Sequence, residues 1–278
     1  MADVRNERRN TDLEALTREL RIDIIRMLER AGSGHPGGSL SIIDILSVLY
    51  TEFIRHRPDE PGWPERDRVI LSKGHACPAL YSIMAHAGYF PKTELLRLRR
   101  LDSPLQGHPD RLRLPGIEVS TGSLGQGLSI GVGMALAARL DKLDYRTWCI
   151  LGDGEMQEGQ VWEAVMSAPK FKLGNLTAIV DCNGGQIDGP VAEIMDIAPL
   201  AAKFQAFNWN TAEINGHDFA AIRRALGEAR REQQRPLAII AKTVKGKGVS
   251  FMENDIGWHG KVPGKDEADR AVKELRNG

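Results

Sequence analysis

Apolar positions along this chain keep two rhythms, one with the period of a helix and one of short unbroken runs. Leu13, Leu16, Leu20, Ile24, Met27 and Leu28 hold helical spacing to about Ala31, and Thr11-Asp-Leu-Glu14 ahead of them fits a capping box. The glycine-rich run Gly32 to Gly38 breaks this helix, and a second is expected from Ser39 or Ser41 to about Phe53. Short runs at 68–72, 145–151, 176–182, 209–214 and 237–244, several rich in β-branched and aromatic residues, predict buried strands. Between them helices are expected at 77–88, 92–101, from the 120–127 turn to 142, and at 157–170, 199–207 and 218–233, with a charged helical tail to 278. Strands alternating with helices predict an α/β chain of about five mainly parallel strands, with helices on both faces. No linker, repeat or low-complexity tract interrupts the pattern. Residues 1–278 are therefore expected to form one domain, behind a polar tail of about ten residues, Met1 to Asn10.

The runs 145–151 and 176–182 flank one helix. Parallel strands joined by a helix cross over right-handed, so both following turns emerge at the same carboxyl edge of the sheet. Open α/β sheets bind ligands at that edge. The first turn is Gly152-Asp153-Gly154 and the second Asn183-Gly184-Gly185. Asp153 offers a carboxylate, Asn183 an amide carbonyl, and the Gly184-Gly185 turn can point a backbone carbonyl inward. This hard oxygen set suits a magnesium ion that takes its remaining ligands from phosphate. Glycines beside Asp153 let backbone N–H groups approach a diphosphate closely. Alone, Gly-Asp-Gly is an ordinary tight turn. Followed some thirty residues later by the Asn turn, it has the form of a thiamine diphosphate fingerprint.

Four of the seven histidines, His35, His75, His108 and His259, sit beside glycines on expected loops, while His56, His86 and His217 fall at scattered positions and read as structural. Neutral imidazoles around one pocket suit hydroxyl recognition and proton transfer near neutral pH. No short His-x-His or Cys-x-x-Cys pair points to zinc. The 37 basic and 37 acidic side chains cancel, leaving no electrostatic footprint for nucleic acid or an anionic membrane. Cys77, Cys149 and Cys182 read as reduced core thiols. Met1 to Asn10 is no signal peptide and no apolar run reaches spanning length, so a cytoplasmic location is expected. Gly127, Gly131 and Gly133 suggest close helix packing, and no strand leads into them as a dinucleotide fingerprint requires.

From Leu13 to Pro263 the chain resembles the N-terminal, diphosphate-binding domain of transketolase. The resemblance is carried by Ser33-Gly34-His35-Pro36-Gly37, Ser72-Lys-Gly-His75, Gly107-His108-Pro109 and Thr121-Gly-Ser-Leu-Gly-Gln-Gly127. It continues through Gly152-Asp-Gly-Glu-Met-Gln-Glu158-Gly159, Asn183-Gly-Gly-Gln-Ile-Asp-Gly189, and Lys242-Thr-Val-Lys-Gly-Lys-Gly248 with His259. It implies a three-layer αβα thiamine diphosphate-binding fold, with thiamine diphosphate and Mg2+ as cofactors. Asp153, Asn183 and the Gly185 carbonyl would be metal ligands. Gly154 and His75 would contact the diphosphate, and Gly122 with Leu124 the aminopyrimidine, Ser123 completing that cofactor set. His35, His108 and His259 would line the sugar channel, binding hydroxyls and moving protons. Glu158 would join a carboxylate network at a subunit interface.

Full transketolases continue into a pyrimidine-binding and a C-terminal domain, whereas this chain stops after the first. The resemblance therefore implies the N-terminal subunit of a split transketolase, paired with a C-terminal subunit in an α2β2 assembly. With that partner it would move a two-carbon ketol unit between sugar phosphates, pentose phosphates being the default; by itself it is expected to catalyse nothing. Three other readings stay open. A split relative acting on a modified or sulfonated sugar would carry the same motifs, and a scaffold paralogue would be expected to have lost Asp153, Asn183 or the histidines. The α subunit of a 2-oxo-acid dehydrogenase has no reason to combine the His35, His75 and His108 loops.

Overall fold

The computed structural model describes residues 2–232 and 234–277, with side chains from Asp12 onward. Two helices open it, α1 (Ala2–Ala31) and α2 (Pro36–Val48), the second running into a wide π turn at Leu49–Phe53. Strand β1 (Arg68–Leu71) leads into α3 (Cys77–Ala87), and a long loop separates this from α4 (Gln126–Leu140). Then follow β2 (Thr147–Gly152), α5 (Gly159–Lys170) and β3 (Leu176–Cys182). A small hairpin, β4 (Gly185–Gln186) with β5 (Gly189–Pro190), precedes the short helices α6 (Val191–Ile194) and α7 (Leu200–Ala206). The chain closes with β6 (Asn210–Asn215), α8 (Phe219–Arg231), β7 (Leu237–Lys242) and α9 (Lys265–Asn277).

Five strands form one parallel sheet in the order β1-β2-β3-β7-β6. Because side chains alternate across a strand, each strand feeds two cores. Val69, Leu71, Trp148, Ile150, Ile179, Leu237 and Ile239 point into the core shared with α1, α2, α3, α8 and α9. Ile70, Cys149, Leu151, Ala178, Val180, Ala238 and Ile240 point into the opposite core, with α4, α5 and α7. The expected three-layer αβα architecture with a parallel sheet is what forms. Cys77 and Cys149 are buried free thiols, and Cys182 is half-buried and free. No helix among the described residues is long and apolar enough to cross a membrane.

Four local expectations change. Residues 2–10 are helical backbone continuous with α1 rather than a tail, and the Thr11 capping contact concerns a side chain outside the described ones. Helix α2 starts at Pro36, where a fixed φ and a missing N–H suit the first helical turn. The helix expected at 92–101 is a 3-10 turn at Lys92–Arg97. It stops where Leu98 turns extended and Arg99 takes φ 58°, which frees the Arg99 guanidinium to reach Ser33 Oγ and the Gly107 carbonyl. The β4–β5 hairpin was not foreseen, because two-residue strands leave no alternation to read.

The start of helix α4 packs closely on Ser72, the residue just after β1. A Cβ added at Gly127 would lie 2.5 Å from Ser72 Cβ and 2.9 Å from Ser72 Cα, whereas one at Gly133 would meet nothing within 4 Å. Gly127→Ala is therefore expected to lose roughly 1–3 kcal/mol by overpacking. Gly133→Ala, on the same helix, should gain up to about 1 kcal/mol from helix propensity. Paired urea titrations check both; equal effects would remove the close-packing argument.

Candidate active site

The carboxyl ends of β1, β2, β3 and β7 lie side by side, and their following turns build one pocket. Beneath it lies Asp181, a fully buried carboxylate next to last in β3. Asp181 accepts hydrogen bonds from Lys73 Nζ, Thr243 Oγ1, Ser41 Oγ at 2.6 Å and Asn183 Nδ2 at 3.1 Å. Burial works against its charge, yet Lys73 and these donors hold it below the ordinary carboxylate value. Lys73 Nζ also donates to the Gly38 carbonyl at 3.0 Å, tying the start of α2 to the end of β1. A second buried carboxylate, Glu155, accepts from Ser72 Oγ, Gly125 N at 2.9 Å and Gly152 N at 3.1 Å, and so fixes the turn that carries Asp153.

Asp153 stands above these two carboxylates. Its Oδ2 accepts from Gly184 N at 2.6 Å and its Oδ1 from Gly154 N at 2.9 Å, so the two sequence-distant turns are in direct contact. Asn183 Oδ1 accepts from Gly185 N at 3.2 Å. Burial and the neighbouring Asp181 charge push the Asp153 carboxyl up to about 6. No Lys or Arg forms an ion pair with it among the described residues. A buried carboxylate short of a cation, beside an amide oxygen and a backbone carbonyl, fits a hard divalent ion. No group of three or more His, Cys, Asp or Glu that could hold a metal occurs among the described residues, but this pocket offers one carboxylate and two carbonyls instead. The Gly185 carbonyl accepts from Lys245 Nζ at 2.9 Å, and burial with the nearby Lys73 charge brings Lys245 down to about 8.

The four glycine-associated histidines converge on the same edge. The His35 ring lies 5.2 Å from that of His75, 5.6 Å from His259 and 6.3 Å from His108, and His75 and His259 stack at 5.2 Å. Burial followed by Arg99 lowers His35 to about 4, and burial followed by Lys245 does the same to His259. His75 falls well below its ordinary value through burial and Lys73, and His108, though exposed, is lowered by desolvation and Arg99. The cluster is therefore neutral at pH 7 and can accept protons. His35 Nδ1 is buried with no hydrogen-bond partner, an acceptor or donor left for a ligand.

A cavity of about 290 Å³ lies here, lined by His75, Leu124, Asp153, Gly154, Asn183 and Lys245 among others, whereas His35 and His108 stand outside its lining. Gly185, Glu158 and His259 also line it. Gly122 sits against the His108 ring, 3.4 Å from its Cγ for an added Cβ, while Ser123 is exposed. Glu158 is exposed and makes no ion pair among the described residues, so an acidic network there would need another chain. Sequence reasoning missed Asp181, Glu155, Ser41 and Thr243. An acid inside an otherwise apolar strand run was the available signal for Asp181, since a buried charge must find partners.

Comparison with known proteins settles the family. The family described as transketolase, thiamine diphosphate binding domain, matches residues 11–276. The chain belongs to the transketolase family. It is 44% identical over 264 residues to a 6-deoxy-6-sulfo-D-fructose transketolase subunit of Clostridium sp., covering 95% of this chain and 96% of that one. It is 40% identical over 263 residues to an apulose-4-phosphate transketolase subunit of Phocaeicola vulgatus, covering 95% and 93%. Human transketolase is 42% identical, but the chain spans only 42% of its length. Among solved structures, Campylobacter jejuni transketolase superposes with a TM-score of 0.89 at 36% identity, over 95% of this chain and 42% of that one.

Two substitutions in this transketolase-family chain test the electrostatics. Lys73→Met leaves Asp181 buried without its cation and is expected to cost on the order of 3–5 kcal/mol of stability, read by chemical denaturation. Asp153→Asn should do the reverse in metal-free buffer. A carboxyl raised from 3.8 to about 6 loses stability as pH rises through that window, so above pH 6 the amide is expected to be more stable by about 1–3 kcal/mol. The gain should vanish by about pH 4, and a pH series of thermal unfolding curves checks it.

Proposed function

We propose that this chain is the diphosphate-binding subunit of a two-chain transketolase, moving a two-carbon ketol unit from a ketose to an aldose. The observation that carries the reading is the meeting, at one strand edge, of a hard-oxygen pocket with four neutral imidazoles. Asp153, Asn183 and the Gly185 carbonyl would hold Mg2+. Gly154, His75 and Asn183 would seat the diphosphate, and Gly122, Ser123 and Leu124 the ring beyond it. When bound, thiamine diphosphate supplies the carbon nucleophile and the electron sink for cleavage beside a ketone. His35 and His259, kept neutral by burial and nearby cations, and His108, lowered by desolvation and Arg99, would accept and return hydroxyl protons of the sugar and orient it by hydrogen bonds. Glu158 would meet, across an interface, a carboxylate from the neighbouring chain.

The partner would be a C-terminal, pyrimidine-binding transketolase subunit in a cytoplasmic α2β2 assembly. Support comes from two relatives named as subunits that match over 96% and 93% of their lengths. Ribose and xylulose phosphates of the pentose phosphate pathway are the first substrate reading. The same two relatives favour a second, a modified or sulfonated sugar, because their names specify 6-deoxy-6-sulfo-D-fructose and apulose 4-phosphate.

The test is calorimetric titration of Mg2+ and thiamine diphosphate into the chain alone and into its mixture with the partner subunit, followed by transfer assays. Tight uptake and pentose transfer by the mixture only is the expected result. Uptake with turnover of sulfofructose or apulose phosphate, but not of pentose phosphates, moves the substrate to the second reading. Transfer by the chain alone overturns the two-chain reading, and a mixture that takes up no cofactor overturns the function.

A further inference from the structure

Behind the site, two buried side chains and one half-buried one meet at a single oxygen. Asp44 Oδ2, on α2, lies 2.8 Å from an Arg21 guanidinium nitrogen and 2.6 Å from His217 Nδ1. The side chains of Arg21, Asp44 and His217 are only 8%, 5% and 14% exposed. His217 Nε2 accepts the Val244 N–H at 2.9 Å. An imidazole that accepts at Nε2 must carry its proton on Nδ1, so the Asp44 contact is a donated N–H and the tautomer is fixed. Arg21 Nε donates to the Lys247 carbonyl at 3.0 Å. Val244 and Lys247 bracket Lys245-Gly246, and Gly246 N donates to the Gly37 carbonyl at 3.0 Å. Lys245 in turn reaches Gly185 O at 2.9 Å and His259 Nδ1 at 3.2 Å.

Resting on the cofactor-site reading above, we propose that His217, Asp44 and Arg21 are positioning residues that clamp the 244–248 loop at both ends and so aim Lys245 and His259 into the site. None of the three lines the site cavity. Each acts through the loop backbone: His217 on its amino side, Arg21 on its carboxyl side, and Asp44 by holding both in one geometry. A buried carboxylate with two donors on a single oxygen does this because Arg21 cannot rotate away without stranding a charge, nor His217 without stranding its Nδ1–H.

The two amides that mimic histidine separate this role from plain core filling. In His217→Asn the amide nitrogen can still face Asp44, but nothing reaches Val244. In His217→Gln the amide oxygen can take the Nε2 position and keep the Val244 bond. Hydrogen exchange of the full chain, and cofactor titration of its mixture with the partner subunit, read the two effects. H217N is expected to speed exchange across residues 244–248 and weaken Mg2+–thiamine diphosphate uptake about tenfold, equivalent to roughly 1.4 kcal/mol, with H217Q within about twofold of wild type. Arg21→Lys, which keeps a charge beside Asp44 but loses the Lys247 bond, should speed exchange at 246–248 and gives a second handle should H217N not fold. Asn and Gln variants that behave alike, or an H217N chain with wild-type affinity, overturn the proposal. A wild-type mixture that takes up no cofactor overturns the functional reading alone, and the exchange pattern then decides the clamp.

Discussion

Everything at the carboxyl edge rests on the Lys73–Asp181 pair. Two opposite charges lie almost fully out of water, one from the end of β1 and one from the end of β3. Their attraction alone would not offset the cost of dehydrating both. What makes the arrangement stable is that Asp181 also takes hydroxyls from α2 and from the turn after β7, and an amide from its own turn. One carboxylate thus joins four chain segments that are distant in sequence. The price of any one of them drifting is an unpaired charge in a medium that cannot solvate it.

Above that pair, position decides the protonation of chemically similar groups. Asp181 sits against a lysine and stays charged, whereas Asp153, 28 residues earlier in the chain and close in space, faces another acid and is raised. The imidazoles of His35, His75 and His259 are all lowered first by burial and then by lysine or arginine neighbours. The pocket therefore combines a cation-hungry carboxylate with bases that remain proton-free, two properties that water would level and the sheet edge keeps apart.

Much of this was legible from the chain. The run 176–182 matched β3 residue for residue, because a short, mostly apolar and β-branched stretch between turns has few other uses. The glycine-bearing loops were legible because close backbone approach leaves a mark in residue type. The clamp on Lys245 was not. His217 and Val244 are 27 positions apart and Lys73 and Asp181 108 apart, so neither pairing follows a local period. His217 reads as structural from its sequence position, and nothing local in the sequence points to its contact with the loop that carries Lys245. The α1 start was misplaced for a different reason: a polar, mixed-charge stretch reads equally well as solvated helix or as tail. Glu158 shows the last limit, since the partners of an exposed acid leave no trace in the chain's periodicity.

The alternation of side chains along the strands has an evolutionary reading. The buried apolar strand positions each belong to one of two cores, so interior change there is constrained twice over, by its own core and by the register of the sheet. The turns beyond the strand ends send only some of their side chains, such as Met156, Val249 and Trp258, into either core. Substrate preference can therefore drift through loop replacement while the scaffold stays still. A family built this way is expected to keep its strands recognisable across sugars as different as those named for its relatives, with the record of each specialisation written in the loops and in whatever chain closes over them.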